Sequence, residues 1–395
     1  RRAGCPRPVG MMEIEQLWKE IDGRVASLPA GQSGLLEAMH RVVAADVLSP
    51  CELPAFDQSS MDGFAFASTR PGRCRILGTI AAGRPLALCV SSGAACRILT
   101  GAVIPEGTAA VAKQEDCTAE GETVTLIPGI SLMPGESIRR KGGIFQKDDV
   151  LITSGTRITA GVIALLASAG IGQVPVFGRA GVLHLVTGDE IVGSGRALFP
   201  GQTYDSNGPM IRVLLGELGS RVGQCHLPDD EESLFHKVRT CTEDVLLISG
   251  GSGPGERDHT LRALESAGYT IHSSRLNSRP GKPLIFATNE SRIAFGLPGN
   301  PLSHWVCFQA FVKRAILRLH GLPAPEMRTL RLAAGVEEGG DRRRTWTPGI
   351  LEHRDGREMV RPLPWKHSGD LTPIARADAL ILDAGNDGDA NVMIL

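Results

Sequence analysis

Residues 244–250 read Asp-Val-Leu-Leu-Ile-Ser-Gly, and Gly-Ser-Gly-Pro-Gly follows at 251–255. Val245 to Ile248 is apolar on both faces, which suits a strand buried inside a parallel sheet. The same texture recurs on either side. GVLHLVTG (181–188) reads as a strand, and 207–218 as a helix that Asp205 or Ser206 caps and Gly219 stops. RVGQCHL (221–227) leads to a helix opening at Asp229, with Glu232 three residues on in the manner of a capping box. A helix is expected over about 256–267, then strands in YTIHSS, PLIFAT and RIAFG. A long helix follows over 301–319, where Trp305, Phe308, Val312, Ala315, Ile316 and Leu319 recur at helical spacing. Strand and helix in alternation predict a doubly wound α/β domain over 179–322.

The rest of the chain has a different texture. Residues 12–46 read as helical, with Ile14, Leu17, Trp18 and Ile21 on one face and Leu35, Leu36, Met39, Val42 and Val43 on another. RILGTIAAGRP, RILTGAVIP and TVTLIPG mark a β-rich module over 47–139, and 150–170 returns to helix. The β module is therefore expected as an insertion in a discontinuous helical stem, 12–46 with 140–178. After a linker near Pro323–Glu326, residues 326–395 read as a small β domain. The expected class is multidomain α/β.

Bulk properties set limits on function. Hydrophobic residues make up 42% of the 395, charged residues 22%, and the net charge is -1, a balance that speaks against a nucleic-acid-coating surface. The nine cysteines form no CxxC pair and no zinc-like cluster, which suits reduced thiols in the cytoplasm. The longest apolar stretch, 158–176, is interrupted by Gly161, Gly170, Gly172 and Pro175, so no membrane span is expected. The opening RRAGCPRPVG lacks an apolar signal core, and Met11 or Met12 reads as the translation start.

Three polar loops follow apolar strands: Thr187-Gly188-Asp189-Glu190, Gly250 to Gly255, and Leu297-Pro298-Gly299-Asn300-Pro301. In an open parallel sheet such loops emerge at the carboxyl edge and converge on one pocket. Gly250, Gly251, Ser252, Gly253 and Gly255 can bring backbone N–H groups close to a phosphate, although for an isolated glycine run a tight strand-to-helix turn is the commoner explanation. Asn300 and Pro301 suit a helix start without any ligand. Asp189 and Glu190 offer hard oxygens to Mg²⁺, or are solvated turn residues. Asp258 can simply complement a helix dipole. Arg279 and Lys282 flank a proline-stiffened turn that ends at Pro283 and suit an oxyanion. PAFDQSSMDGFAF (54–66) carries Asp57, Ser59, Ser60, Asp62 and Gly63, more polar functionality than a turn requires.

PAFDQSSMDGFAF, RILTGAVIPEGTAAVAKQED, VTGDEIV, TYDSNGPMI, the glycine loop with its helix, RPGKPLIFA, FGLPGNPLSHWVCFQAFV and SGDLTPIARADALI resemble, in order, motifs of the molybdopterin molybdenumtransferase family. That family includes bacterial MoeA and the gephyrin E domain, and the likeness spans 12–395. It implies a homodimer with a cleft shared between subunits. It implies adenylyl-molybdopterin and molybdate as substrates, Mg²⁺ as cofactor, and molybdenum-molybdopterin and AMP as products. Molybdopterin adenylyltransferase would act upstream, and a molybdoenzyme or its chaperone downstream. Carried over by motif, Asp62, Thr100, Glu190 and Asp258 are catalytic and Asp189 holds the metal. Gly250, Gly251, Ser252, Gly253, Gly255, Arg279, Lys282, Pro283, Pro298, Gly299, Asn300, Pro301 and Ser368 bind substrate.

Some positions depart from the family pattern. Gly143 and Ile144 stand where it carries Glu-Asp, Arg279 where it carries lysine, and Pro348 where it tends to place arginine. Ser252, Gly253 and Pro254 alter the glycine loop. The resemblance therefore implies a working insertase or, alternatively, a non-catalytic pterin-binding or scaffold paralogue.

Overall fold

The computed structural model describes residues 11–250, 256–333, 342–384 and 388–395. They form two compact units: Arg1–Gly31, His40–Ala44 and Val176–Leu395 in the larger, Gln32–Met39 and Ala45–Pro175 in the smaller.

The larger unit begins with α1 (Ile14–Arg24) and is built on six strands. These are β1 (Gly181–Thr187), β2 (Arg221–Leu227), β3 (Val245–Ser249), β4 (Thr270–Ser273), β5 (Ile285–Thr288) and β6 (Ile293–Leu297), in the order β2-β1-β3-β6-β5-β4. β2, β1, β3 and β6 are mutually parallel, with β3 between β1 and β6 as its apolar run requires. β5 is antiparallel to both neighbours. Its link to β6 is a tight turn in which Asn289 accepts from the backbone of Ser291 and Arg292, too short for a parallel crossover.

Helices cover both faces. α2 (Asn207–Glu217) packs Ile211 and Leu215 against one face, with Val245 and Leu247. α3 (Glu231–Thr240) and α4 (Glu256–Ser266) pack Leu234, Val238, Ala263 and Leu264 against the other, with Leu185, Leu246 and Ile248. The cap of α3 is Asp230, which accepts from Ser233 N at 2.7 Å; the expected opening at Asp229 lies one residue early. The expected helix over 301–319 is α5 (Pro301–Cys307), a π turn Phe308–Val312 and α6 (Lys313–Leu319). Trp18 of α1 donates from its indole to Ala310 O in that π turn at 2.9 Å.

The helical reading of 12–46 is correct only to Arg24. Residues 35–40 are turns, Leu36 is exposed and His40 has φ +66°. Leu35 N instead donates to Gly172 O at 3.0 Å, so a contact distant in sequence overrides the apolar spacing. Of 150–170, only Ala160–Ser168 is helical, and Val150–Ile152 is a strand.

The carboxyl-terminal strands are β7 (Met327–Leu332), β8 (Arg344–Arg354), β9 (Arg357–Pro362), β10 (Ala379–Ala384) and β11 (Asp389–Ile394). They pair as β8-β9-β7-β11-β10 and return to β8, closing a barrel. Trp346, Leu380 and Met393 from this barrel join the same apolar cluster as α1 and the long helix.

In the smaller unit, strands Ala110–Lys113, Gly63–Phe66, Ala94–Ile98, Cys74–Ile80, Thr123–Leu126 and Cys117–Glu120 lie in that order in one sheet. Separate apolar clusters fill its two faces, around Phe64 and Phe66 on one and Ala65, Ile80 and Ile98 on the other. The eight described cysteines are free, and no helix among the described residues is long and apolar enough to cross a membrane.

Candidate functional site

A cavity of about 370 Å³ opens at the carboxyl ends of β1, β3 and β6. The loop after β1 supplies Glu190 and Ile191, the end of β3 supplies Ser249 and Gly250, and the turn after β6 supplies Gly299, Asn300 and Pro301. Tyr204, Asp205, Ser206 and Asn207 complete the wall. The convergence expected of the three loops is therefore present for their described residues. The cavity is acidic rather than basic, since Glu190 and Asp205 are the charged residues in its lining.

Local chemistry explains each wall. Gly250 has φ +101°, and a Cβ there would stand 2.5 Å from Thr187 Oγ1 and 2.6 Å from Thr187 O. Only glycine fits, because Thr187 occupies the place of a side chain. Asp205 is buried and accepts from Gly208 N at 2.8 Å, starting α2, while His226 Nε2 lies 3.6 Å from its other oxygen. Asn207 donates to Gly299 O at 2.7 Å, tying the start of α2 to the turn after β6. Asn300 precedes α5 and Pro301 is its first residue, yet the Asn300 side chain makes no capping hydrogen bond. Asn300 and Pro301 thus hold the expected N-cap and first helical positions, without a side-chain capping bond, and both line the cavity.

Beneath this wall lies a polar network that the sequence reading missed. His184, Ser249 and His304 are all buried, with Ser249 Oγ bonded to His184 Nε2 and standing 3.3 Å from His304 Nε2. His304 Nδ1 donates to Pro298 O at 2.9 Å. Burial pushes the His184 imidazole down to about 3, helped by the neighbouring His304 and His226. Burial likewise takes His304 down to about 4, against the opposing bond to Pro298. The available signal was a histidine inside the apolar run of β1.

Other expected site residues lie elsewhere. Asp189 Oδ1 accepts from Asp229 N at 3.3 Å and Asp229 Oδ2 from Asp189 N at 3.1 Å, a reciprocal pair that fastens two loops. Asp189 is absent from the cavity lining, and Pro298 is buried behind it. Ser368 O accepts from Leu302 N at 2.9 Å, which places the SGDL segment at the first turn of α5. The Arg279 guanidinium stands 5.2 Å over the Trp365 ring, bringing the cationic turn to the same segment. Ser278 and Arg279 also pair with Arg344 and Thr345 of β8. Lys282 is exposed and Pro283 half-buried, and neither lines the cavity. Asp258 belongs to the first turn of α4. Gly251, Ser252, Gly253 and Gly255, with the altered Pro254, lie outside the described residues.

In the smaller unit Asp62 and Thr100 are together. Asp62 Oδ1 accepts from Thr100 N at 2.7 Å and Thr100 Oγ1 at 2.8 Å, and the bond to Thr100 N holds its carboxyl below the usual range. Asp57 has a structural explanation instead. It binds Lys141 N at 2.8 Å and Arg140 Nη1 at 2.5 Å, which lowers its pKa. Among the departures, Ile144 is exposed, while a Cβ on Gly143 would stand 2.9 Å from Arg140 O. Pro348 is buried in β8 opposite Leu380.

No group of three or more His, Cys, Asp or Glu at metal-holding distance occurs among the described residues. The carboxylates of Glu190 and Asp205 fit Mg²⁺ only as the partial donor set that this ion takes when phosphoryl oxygens and water complete its shell.

A doubly wound domain with its cavity at the strand ends, carried with a β barrel and a separate β unit, defines a multidomain ligand-binding α/β protein. Family models give the finer assignment: the MoeA N-terminal region (domain I and II) matches 12–170, a probable molybdopterin binding domain 184–318, and the MoeA C-terminal region (domain IV) 329–388. A molybdopterin molybdenumtransferase of Haemophilus influenzae is 38% identical over 296 residues, 73% of this chain and 72% of that protein. One of Nostoc sp. is 32% identical over 364 residues, 88% of this chain and 83% of that protein. The crystal structure of a molybdopterin biosynthesis MoeA protein from Pyrococcus horikosii superposes with a TM-score of 0.81 at 28% identity, covering 97% of this chain and 99% of that one. The chain belongs to the molybdopterin molybdenumtransferase family.

Proposed function

We propose that the chain is a molybdenum insertase of molybdenum cofactor biosynthesis, converting adenylyl-molybdopterin and molybdate to molybdenum-molybdopterin and AMP. The observation that carries this reading is the cavity in which Glu190, Gly250 and the Gly299–Pro301 turn meet. Gly250 and Asn300 both line the cavity, where the backbone of one and the side-chain amide of the other would meet a polar substrate edge. Mg²⁺, when bound, supplies charge neutralisation at phosphoryl oxygens. Glu190 would hold it there, and Asp189 acts through its loop contact with Asp229. Asp62, kept ionised by Thr100, serves as a carboxylate that positions the attacking species.

Asp62 and Thr100 belong to the smaller unit and Glu190 to the larger. The reading includes a homodimer in which each copy supplies the Asp62 loop to the other. It also includes a cytoplasmic location, substrate supply by molybdopterin adenylyltransferase, and delivery to a molybdoenzyme or its chaperone. The test is incubation of purified protein with adenylyl-molybdopterin, Mg²⁺ and molybdate, scored for AMP release and for molybdenum retained on the pterin. No AMP release by folded protein would overturn the enzyme reading and leave the non-catalytic pterin-binding alternative.

A further inference from the structure

The turn between β6 and α5 carries Gly299, Asn300 and Pro301 into the cavity wall. Two of its carbonyls are engaged from outside the turn: Gly299 O by Asn207, and Pro298 O by His304 Nδ1. His304 reaches further. Its Nε2 faces Ser249 Oγ on β3, and that hydroxyl meets His184 Nε2 on β1.

Donor and acceptor roles along this chain are fixed by one fact, that a carbonyl oxygen only accepts. His304 Nδ1 must carry its hydrogen, so Nε2 of the neutral ring is an acceptor. Ser249 then donates to His304, and the remaining lone pairs of its oxygen accept from His184 Nε2–H. The chain ends at His184 Nδ1, a buried nitrogen without a partner. Both rings stay neutral at working pH because burial depresses their proton affinity, so one tautomer persists.

We propose that His304 is a positioning residue for the reaction: from within α5 its Nδ1–H holds Pro298 O, fixes the Pro298–Pro301 turn in one conformation and so sets the width of the cavity. The inference rests on the reading of this cavity as the substrate site. His304 touches no cavity space itself; it acts through Pro298 and Ser249.

The test compares His304→Asn with His304→Gln. An asparagine amide lies where Nδ1 lies and can still donate to Pro298 O, whereas a glutamine amide extends toward Ser249 and abandons Pro298. In His304→Gln, KM for adenylyl-molybdopterin should rise about tenfold with kcat within threefold. Amide exchange at Leu302, whose N–H leaves the end of the turn for Ser368 O, should quicken about tenfold in ligand-free protein. His304→Asn should restore both to within threefold. Equal shifts in the two variants, scaling with their loss of Tm, would make His304 a core residue and nothing more, and the absence of any shift would also overturn the proposal. The unaltered protein provides a check that needs no variant to fold. Leu302, the buried residue after the turn whose N–H donates to Ser368 O, must exchange at least tenfold more slowly than Gly193 and Ser194 in the exposed loop after Glu190, and equal rates refute the rigid turn. Because exchange is read without ligand, a protein that releases no AMP sinks the insertase reading while leaving the turn decided on its own.

Discussion

The cavity of the larger unit and the Asp62 loop of the smaller are both candidate working surfaces, yet they are held in opposite ways. Around the cavity, buried groups distant in sequence lock one another: His184 with Ser249, Ser249 with His304, Asn207 with Gly299. Asp62 sits at the surface, held by the backbone and hydroxyl of Thr100. A dry network has no water to replace a lost partner, so damage there is paid in folding stability; an exposed carboxylate can be neutralised at little structural cost. The smaller unit therefore allows chemistry to be altered separately from stability, and the larger does not.

That contrast is bounded by the strand that follows Asp62, which Gly63→Ala tests. Its Cβ would stand 1.8 Å from Ala112 O on the adjacent strand, so a loss of about 4 kcal/mol is expected on thermal or urea unfolding. The Asp62 loop is then tolerant only up to residue 62, after which the strand begins. Acid should act on the other region. His184 and His304 have pKa values of about 3 and 4 when folded, below the unfolded value near 6.5. Their contribution is fully present above about pH 6.5 and declines as pH falls toward 4 and then 3. The slope approaches roughly 1.4 kcal/mol per imidazole per pH unit only once the unfolded rings are fully protonated, so the two together predict a loss of about 2 kcal/mol between pH 6.5 and 5.5. His184→Leu should halve that slope in urea titrations, and an unchanged slope would remove the buried pair from the account.

Asp62→Asn should lower AMP release about 100-fold while Tm and pterin affinity stay near those of the parent, the separation the surface placement demands. Equal losses of affinity and rate would mark Asp62 as structural. The smallest effect is expected at Arg140→Ala. Its ion pair with Asp57 is exposed, so under about 1 kcal/mol should be lost in unfolding experiments. Asp57→Ala, which also abandons Lys141 N, should cost more.

The same contrast governs what could be read beforehand. The apolar run Val245–Ser249 announced a central strand because burial on both faces leaves a compositional mark, and the loops after β1, β3 and β6 followed from topology. Residues 35–43 misled because their apolar spacing imitates a helix, whereas Leu35 is committed to Gly172. The cavity wall was legible at Glu190, Gly250 and the Gly299–Pro301 turn, since glycine, proline and carboxylate in strand-end loops carry a physical reason. Its support was not. Nothing in the spacing of His184, Ser249 and His304 brings them together, because their meeting depends on β1 and β3 lying side by side and α5 turning back over them. The tie between Asp189 and Asp229 was hidden for a related reason: the partner lies beyond the next strand.

The carboxyl-terminal barrel has a consequence for the behaviour of the protein in crowded solution. A strand at the border of an open sheet exposes a row of unsatisfied amides, and these recruit other chains. Here β8 meets both β9 and β10, so the ring of five strands has no border at which another chain could add a strand. Colloidal stability at this end of the molecule is thus built into the pairing pattern itself, and an exposed residue such as Arg357 on β9 remains free to vary.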